Sequence, residues 1–162
     1  MCYATDMRRL STAPRFTVED VVQLLGVGSH QLRALLDRRF LAPSMSRGGR
    51  GRGHQRLFSR CDLVAIRSAH ELTRIGVVGA RLRRVCYDIR RLERSGMERV
   101  LLLVTHTGDT IHVPRARELA RLVQRLDGPY GHVVLDLKRM SRDVRRLIRR
   151  YPAATRRRTA RP

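Results

Sequence analysis

The residues best equipped for recognition chemistry fall into two neighbouring groups. The first is Ser29, His30, Gln31 and Arg33, polar positions at or near the start of a short apolar-striped segment. A Gln side chain presents an acceptor and a donor in one plane and can pair with adenine. An Arg presents two parallel donors and can pair with guanine. The second group is the loop at 47–53, where four glycines and three arginines fill every position. Arg47, Arg50 and Arg52 would contact phosphate or reach into a minor groove, and the glycines would let the backbone approach a duplex closely. This loop is short and has apolar segments on both sides, which favours a wing that orders on nucleic acid over a free linker. His54 and Arg56 extend it.

The charge of the whole chain agrees with that chemistry. Its 162 residues carry 35 Lys+Arg against 14 Asp+Glu, a formal charge of +21. Such an excess attracts polyanions and makes their binding salt-sensitive. Arg-rich codon usage explains why Lys138 is the only lysine, but it explains less well the surplus of base over acid. The charge is shared almost evenly between residues 1–97 and 98–162, so a basic stretch at Arg142, Arg145, Arg146, Arg149 and Arg150 is either a second nucleic-acid surface or, more commonly, a solvated helix face.

Other reactive side chains do not assemble into a recognisable pattern. His106, His112, His132 and Asp136 have no spacing that fixes a metal or acid/base cluster, and surface histidines are the simpler account. Asp136 reads as a capping or edge residue. The cysteines Cys2, Cys61 and Cys86 are odd in number and far apart, with neither a CxxC pair nor a disulfide framework. A lone buried thiol such as Cys86 behaves as a small hydrophobe. The 48–53 glycines lack the strand and lysine of a nucleotide-binding loop. No enzyme, cofactor or metal site is therefore expected. The polar N-terminal stretch has no signal-peptide core, and no run approaches the roughly 20 apolar residues of a membrane span. The expectation is a cytoplasmic, nucleoid-associated protein with no membrane partner.

Four helices must position the two recognition groups. Thr17 stands where an N-cap belongs, with Glu19 and Asp20 in the first turn and Val18, Val21, Val22 and Leu25 on one face. Gly26 ends this helix. Ser29 is the expected cap of a second helix striped by Leu32, Leu35 and Leu36. Two short helices about a glycine-containing turn are the helix-turn-helix pattern. Ser59–Asp62 resembles a capping box for a third helix with Leu63, Ile66, Ala69 and Thr73. A fourth follows near 80–94 with Leu82, Val85, Ile89 and Leu92.

After Gly96 the pattern changes. Val100–Val104 reads as a buried strand and Ile111–Val113 as its hairpin partner. Pro114 opens a helix with Ala116, Leu119, Ala120, Val123 and Leu126 on its apolar face. His132–Leu137 reads as a third strand. Ser141 is the expected cap of a last helix bearing Val144, Leu147, Ile148 and Tyr151. The expected organisation is a flexible arm at 1–15, a DNA-binding domain at 16–95, a small α+β domain at 98–152 and a basic tail at 153–162. The fold class is a mainly α winged helix-turn-helix domain followed by a β-β-α-β-α unit.

Seven short motifs in order sharpen this reading: Phe-Thr-Val at 16–18, Leu-Gly-Val at 25–27, Leu-Arg at 32–33, Leu-Ala-Pro at 41–43, Arg-Leu-Phe-Ser at 56–59, Asp-Leu at 62–63 and Arg-Ile-Gly-Val at 74–77. Together they resemble the winged head of the mercury-resistance regulator (MerR) family. The resemblance implies that Arg33 of the recognition helix and Arg56 of the wing contact DNA. It also implies a dimer on an inverted repeat and a contact with RNA polymerase. Ala34-Leu35 and Gln55 stand where the family usually has aromatic residues, and the extra wing arginines would take over their phosphate contacts. The expected function is sequence-specific binding of double-stranded DNA by a transcriptional regulator. The expected DNA-binding set is Thr17, Ser29, His30, Gln31, Arg33, Arg47, Arg50, Arg52, His54 and Arg56. The alternatives are an architectural DNA binder of the excisionase or nucleoid type, and an RNA- or protein-interaction module.

Overall fold

The structure, a computed structural model, describes residues 15–41, 43, 56–92, 100–105, 109–113, 115–125 and 132–151. The wing residues Arg47, Arg50, Arg52 and His54, together with His106, Pro114, Leu126 and the two terminal segments, lie outside the described residues. Four helices come first: α1 (Val18–Leu25), α2 (Ser29–Asp37), α3 (Arg60–Arg74) and α4 (Gly79–Arg91). Then follow β1 (Leu101–Val104), β2 (Thr110–Val113), α5 (Ala116–Arg125), β3 (Val133–Asp136) and α6 (Leu137–Arg150). The helical head followed by a small antiparallel sheet with helices is the expected fold class. No helix of the described residues is long and apolar enough to cross a membrane.

Local signals set most helix ends. Thr17 and Asp20 form a reciprocal capping box, with Thr17 Oγ1 accepting from Asp20 N at 3.2 Å and Asp20 Oδ2 accepting from Thr17 N at 2.9 Å. Ser59 and Asp62 repeat the arrangement on α3. Gly26 takes φ 64 and closes α1 in the left-handed region. Two expected caps fall elsewhere. Gly28, not Ser29, is the N-cap of α2, and the Gln31 side chain returns to its backbone N–H. Ser141 lies buried inside α6, because that helix begins four residues earlier and Asp136 caps it by accepting from Arg139 N at 2.8 Å. Leu137 therefore starts the helix rather than ending the strand.

The core of the head gathers Val21, Leu25, Leu32, Leu63, Ile66, Leu72, Val85 and Ile89. Leu72, not Thr73, completes the buried stripe of α3; exposed Thr73 instead donates its hydroxyl to the Ala69 carbonyl. An isolated antiparallel bridge joins Phe16 to Phe58 through bonds of 3.0 and 2.8 Å, so the entry to α1 and the entry to α3 are fastened together.

The sheet is antiparallel, in the order β2-β1-β3. Leu102 pairs with His112 and Leu135, and Leu103 with Ile111 and Val134. Strand alternation sends Leu102, Val104 and Leu135 to one face, where they join the same apolar cluster as the head. Leu103 and Val113 are buried outside that cluster. α5 rests against β2. None of its described side chains is fully buried; Leu119 is half-buried and Val123 is exposed, so its expected apolar face is only partly covered. The physical reason is the narrow sheet, which offers an edge strand rather than a broad surface.

α6 has the opposite fate. Its Leu137, Val144 and Tyr151 enter the core of the head, and it packs on α1 and α3. Arg60 donates to Ser141 Oγ at 3.0 Å. At the far end, the Tyr151 hydroxyl donates to Asp20 Oδ1 at 2.6 Å and lies 3.1 Å from Gln23 Oε1. The last helix is thus tied to the capping box of the first. Thr110 Oγ1 donates to Asp88, and Arg84 pairs with Asp109, so the β1–β2 hairpin is also fastened to α4.

Candidate nucleic-acid interface

α2 owes its placement to Leu32, Leu35 and Leu36, which bury one side of it against the head. That anchoring leaves Ser29, His30, Gln31 and Arg33 exposed on its outer side. Gly28 matters locally: a Cβ there would sit 2.8 Å from His30 Cε1, so glycine lets the imidazole lie close over the start of the helix. Gln31 Oε1 accepts from Gly28 N at 3.1 Å. Its amide oxygen is therefore engaged, and bidentate pairing with a base would first have to break this exposed bond. Arg33 is exposed and makes no hydrogen bond or ion pair with any described residue. Its guanidinium is the group on this helix most ready to meet an external acceptor.

α1 is held to α3 by polar as well as apolar contacts. Arg67 of α3 donates to the Leu25 carbonyl at 3.3 Å, satisfying an orphan acceptor at the end of α1, and pairs with Glu71 at 2.9 Å. Thr17 is almost wholly buried, with its hydroxyl oxygen engaged in the cap. Arg56, two residues before the Phe58 bridge, is exposed and stands 3.9 Å from Asp37 at the end of α2. An ion pair that long and that exposed contributes little to stability, and it leaves the Arg56 guanidinium free to turn to another acceptor. The structure brings together Ser29, His30, Gln31 and Arg33 on one helix, places Arg56 beside the end of that helix, and puts Thr17 apart, in the α1 cap.

Two further groups adjoin this surface. A groove of about 380 Å³ runs beside α2, lined by His30, Gln31 and Arg38 from α2 and its end and by His70, Arg74 and Val78 from α3 and the turn after it. His70 Nδ1 is buried there without a hydrogen-bond partner among the described residues. Beyond Phe40, α4 turns a row of arginines outward. Sequence reasoning did not single out Arg38, His70, Arg39 or the α4 arginines, because helical periodicity marks only the apolar side of α3 and α4. Arg74 does stand within the Arg-Ile-Gly-Val motif.

Among the described residues no three His, Cys, Asp or Glu side chains come together as metal ligands would. Asp136 is spent on its cap. Burial pushes the Cys86 thiol from its ordinary 9.0 up to about 12, against a smaller opposite pull from Arg90. A thiol held protonated in this way is a poor nucleophile and a poor metal ligand.

Residues 16–89 match the family model described as MerR HTH family regulatory protein. No curated protein matches the chain. The matched stretch opens at the Phe16 bridge and ends with Ile89, the last buried residue of α4.

Proposed function

With residues 16–89 belonging to the MerR helix-turn-helix family of DNA-binding transcriptional regulators, we propose that this chain reads a specific duplex site through α2. In this reading α2 enters the major groove and Arg33 contacts a base edge, with Ser29 and His30 beside it. Gln31 contributes after releasing Gly28. Arg56 and the wing residues Arg47, Arg50, Arg52 and His54 hold phosphates on the flanking strand. Thr17 acts indirectly, through the cap that fixes the start of α1. The protein works as a homodimer on an inverted repeat and contacts RNA polymerase from that position.

The observation that carries the reading is the exposed Arg33 side chain, unpaired among the described residues, on a helix whose opposite side is locked by three buried leucines. A side chain held on a rigid element and left without an internal partner is suited to specific contact.

The test is selection of bound sites from a random duplex library with the full-length protein at near-physiological salt. An enriched palindrome supports a dimeric, sequence-specific regulator. Binding without enrichment favours an architectural role, and tighter binding to RNA than to duplex favours an RNA module. On the enriched site, Arg33→Ala should cost about 1–3 kcal/mol and relax discrimination at one position, whereas Arg56→Ala should weaken all duplexes alike. Equal losses on selected and random DNA for both variants would sink this division of roles.

A further inference from the structure

The turn after α2 and the outer side of α4 enclose a depression of about 370 Å³. Four arginines line it, Arg39, Arg83, Arg84 and Arg90, with Phe40 and Tyr87 as walls. Arg84 is paired with Asp109 at the rim. The side chains of Arg39, Arg83 and Arg90 have no carboxylate partner among the described residues. Asp88, the acidic residue of α4, is turned away to accept from Thr110. Arg91 stands over the Tyr87 ring with its guanidinium carbon 5.6 Å from the centroid, which steadies that wall.

Arg39 itself is unusual. It is the non-glycine residue of positive φ among those described, at φ 56. The left-handed region favours glycine, and Arg has no local side-chain bond to offset it. Its backbone is set by the helix end, where Phe40 N donates to Leu35 O and Arg39 N to Leu36 O at 3.0 Å each, and this left-handed turn places Arg39 at the edge of the concave, cation-lined site. Several like charges around one depression repel each other until an anion enters, and the flat fork of each guanidinium fits phosphoryl oxygens.

We propose that this depression is a binding site for a phosphoryl group. The group comes from either of two sources with the same chemistry: a free phosphorylated small molecule, or a backbone phosphate of bound duplex beyond the reach of α2. The duplex source rests on the function proposed above; the free source does not.

Calorimetric titration of the full-length protein with inorganic pyrophosphate, at near-physiological salt, tests the first source. Binding of a random-sequence duplex over a range of salt concentrations tests the second. Both use Arg39→Gly, the Arg83→Ala/Arg90→Ala double variant, and an Arg142→Ala/Arg146→Ala control that removes two charges from exposed positions near α6's outer side. Arg39→Gly relieves the backbone, so a folding defect does not cloud its result. Saturable pyrophosphate binding that falls about tenfold or more in the basin variants, but not in the control, establishes a free-ligand site. No pyrophosphate binding, with duplex affinity lost and the salt slope reduced by about one in the basin variants but not in the control, establishes a backbone contact. Equal losses in basin and control variants, or no loss in either arm, overturn the proposal. Absence of duplex binding by every protein refutes the DNA reading alone, and the pyrophosphate arm still decides this site.

Discussion

Replacing Tyr151 with Phe tests whether the last helix is a structural member of the head. Tyr151 is 8% exposed and Asp20 3%. Phe keeps the ring in place and removes one hydroxyl, so the packing is preserved and the hydrogen bond to Asp20 Oδ1 is lost. A hydrogen bond to a charged acceptor contributes about 1.5–3 kcal/mol, and the buried oxygen left behind carries a desolvation cost of similar size. Asp20 keeps its bond from Thr17 N through the other oxygen. The expected loss is therefore about 2 kcal/mol. Urea unfolding should show the midpoint falling by about 1 M, and thermal unfolding should show a drop of about 4–8 °C. Combining Tyr151→Phe with Asp20→Asn should give less than the sum of the two losses, with a coupling of about 1 kcal/mol or more. A Tyr151→Phe loss under about 0.5 kcal/mol, or strict additivity in the double variant, would refute the claim that this bond fastens α6 to α1.

Other expectations follow from particular backbone and side-chain features. Arg39→Gly should leave stability unchanged or raise it by up to about 1 kcal/mol, since relief of the left-handed backbone competes with the larger entropy of glycine in the unfolded chain; a clear loss in urea unfolding would mean that the Arg39 stem packs more than its exposure suggests. Gly26→Ala should cost about 1 kcal/mol by the same measurement, entirely through the backbone, because a Cβ there would meet no atom within 4 Å. Cys86, with its thiol pushed up to about 12, should resist thiol-reactive dye at pH 8 in a background lacking the other cysteines, and become reactive on unfolding. The sign of its pH linkage follows: the folded state holds the proton and the unfolded state releases it near 9.0, so this contribution to stability is complete below that pH and is lost as pH rises toward about 12. Cys86→Ala should remove that part of the alkaline decline, read from urea midpoints at successive pH values.

The sequence by itself determined the head to a large extent. Its element order, the Thr17 and Ser59 caps, the Gly26 stop and the leucines of α2 all rest on signals spanning three to eight residues. Capping and helical periodicity act at that range, so they can be read along the chain. The buried positions of α2 in turn dictate which of its residues are exposed, and so Ser29, His30, Gln31 and Arg33 are legible from the amino-acid order alone. The β-β-α-β-α order is legible for the same reason.

What the sequence could not show was where the second half goes. Leu137 reads equally well as the end of an apolar strand or the start of a helix, and only the bond from Arg139 N to Asp136 decides between them. An apolar stripe says that a helix is covered but not by what. α5 and α6 both carry one, yet α5 is left half-covered on an edge strand while α6 enters the core of the head. The Tyr151–Asp20 bond spans 131 residues, and no local pattern encodes it. The same holds for the arginine-lined depression: Arg39 comes from the turn after α2, whereas Arg83, Arg84 and Arg90 come from α4. Along the chain they are charges on exposed faces. Tertiary packing makes them one site, because burying Leu82, Val85 and Ile89 of α4 against the head turns these arginines out beside Arg39.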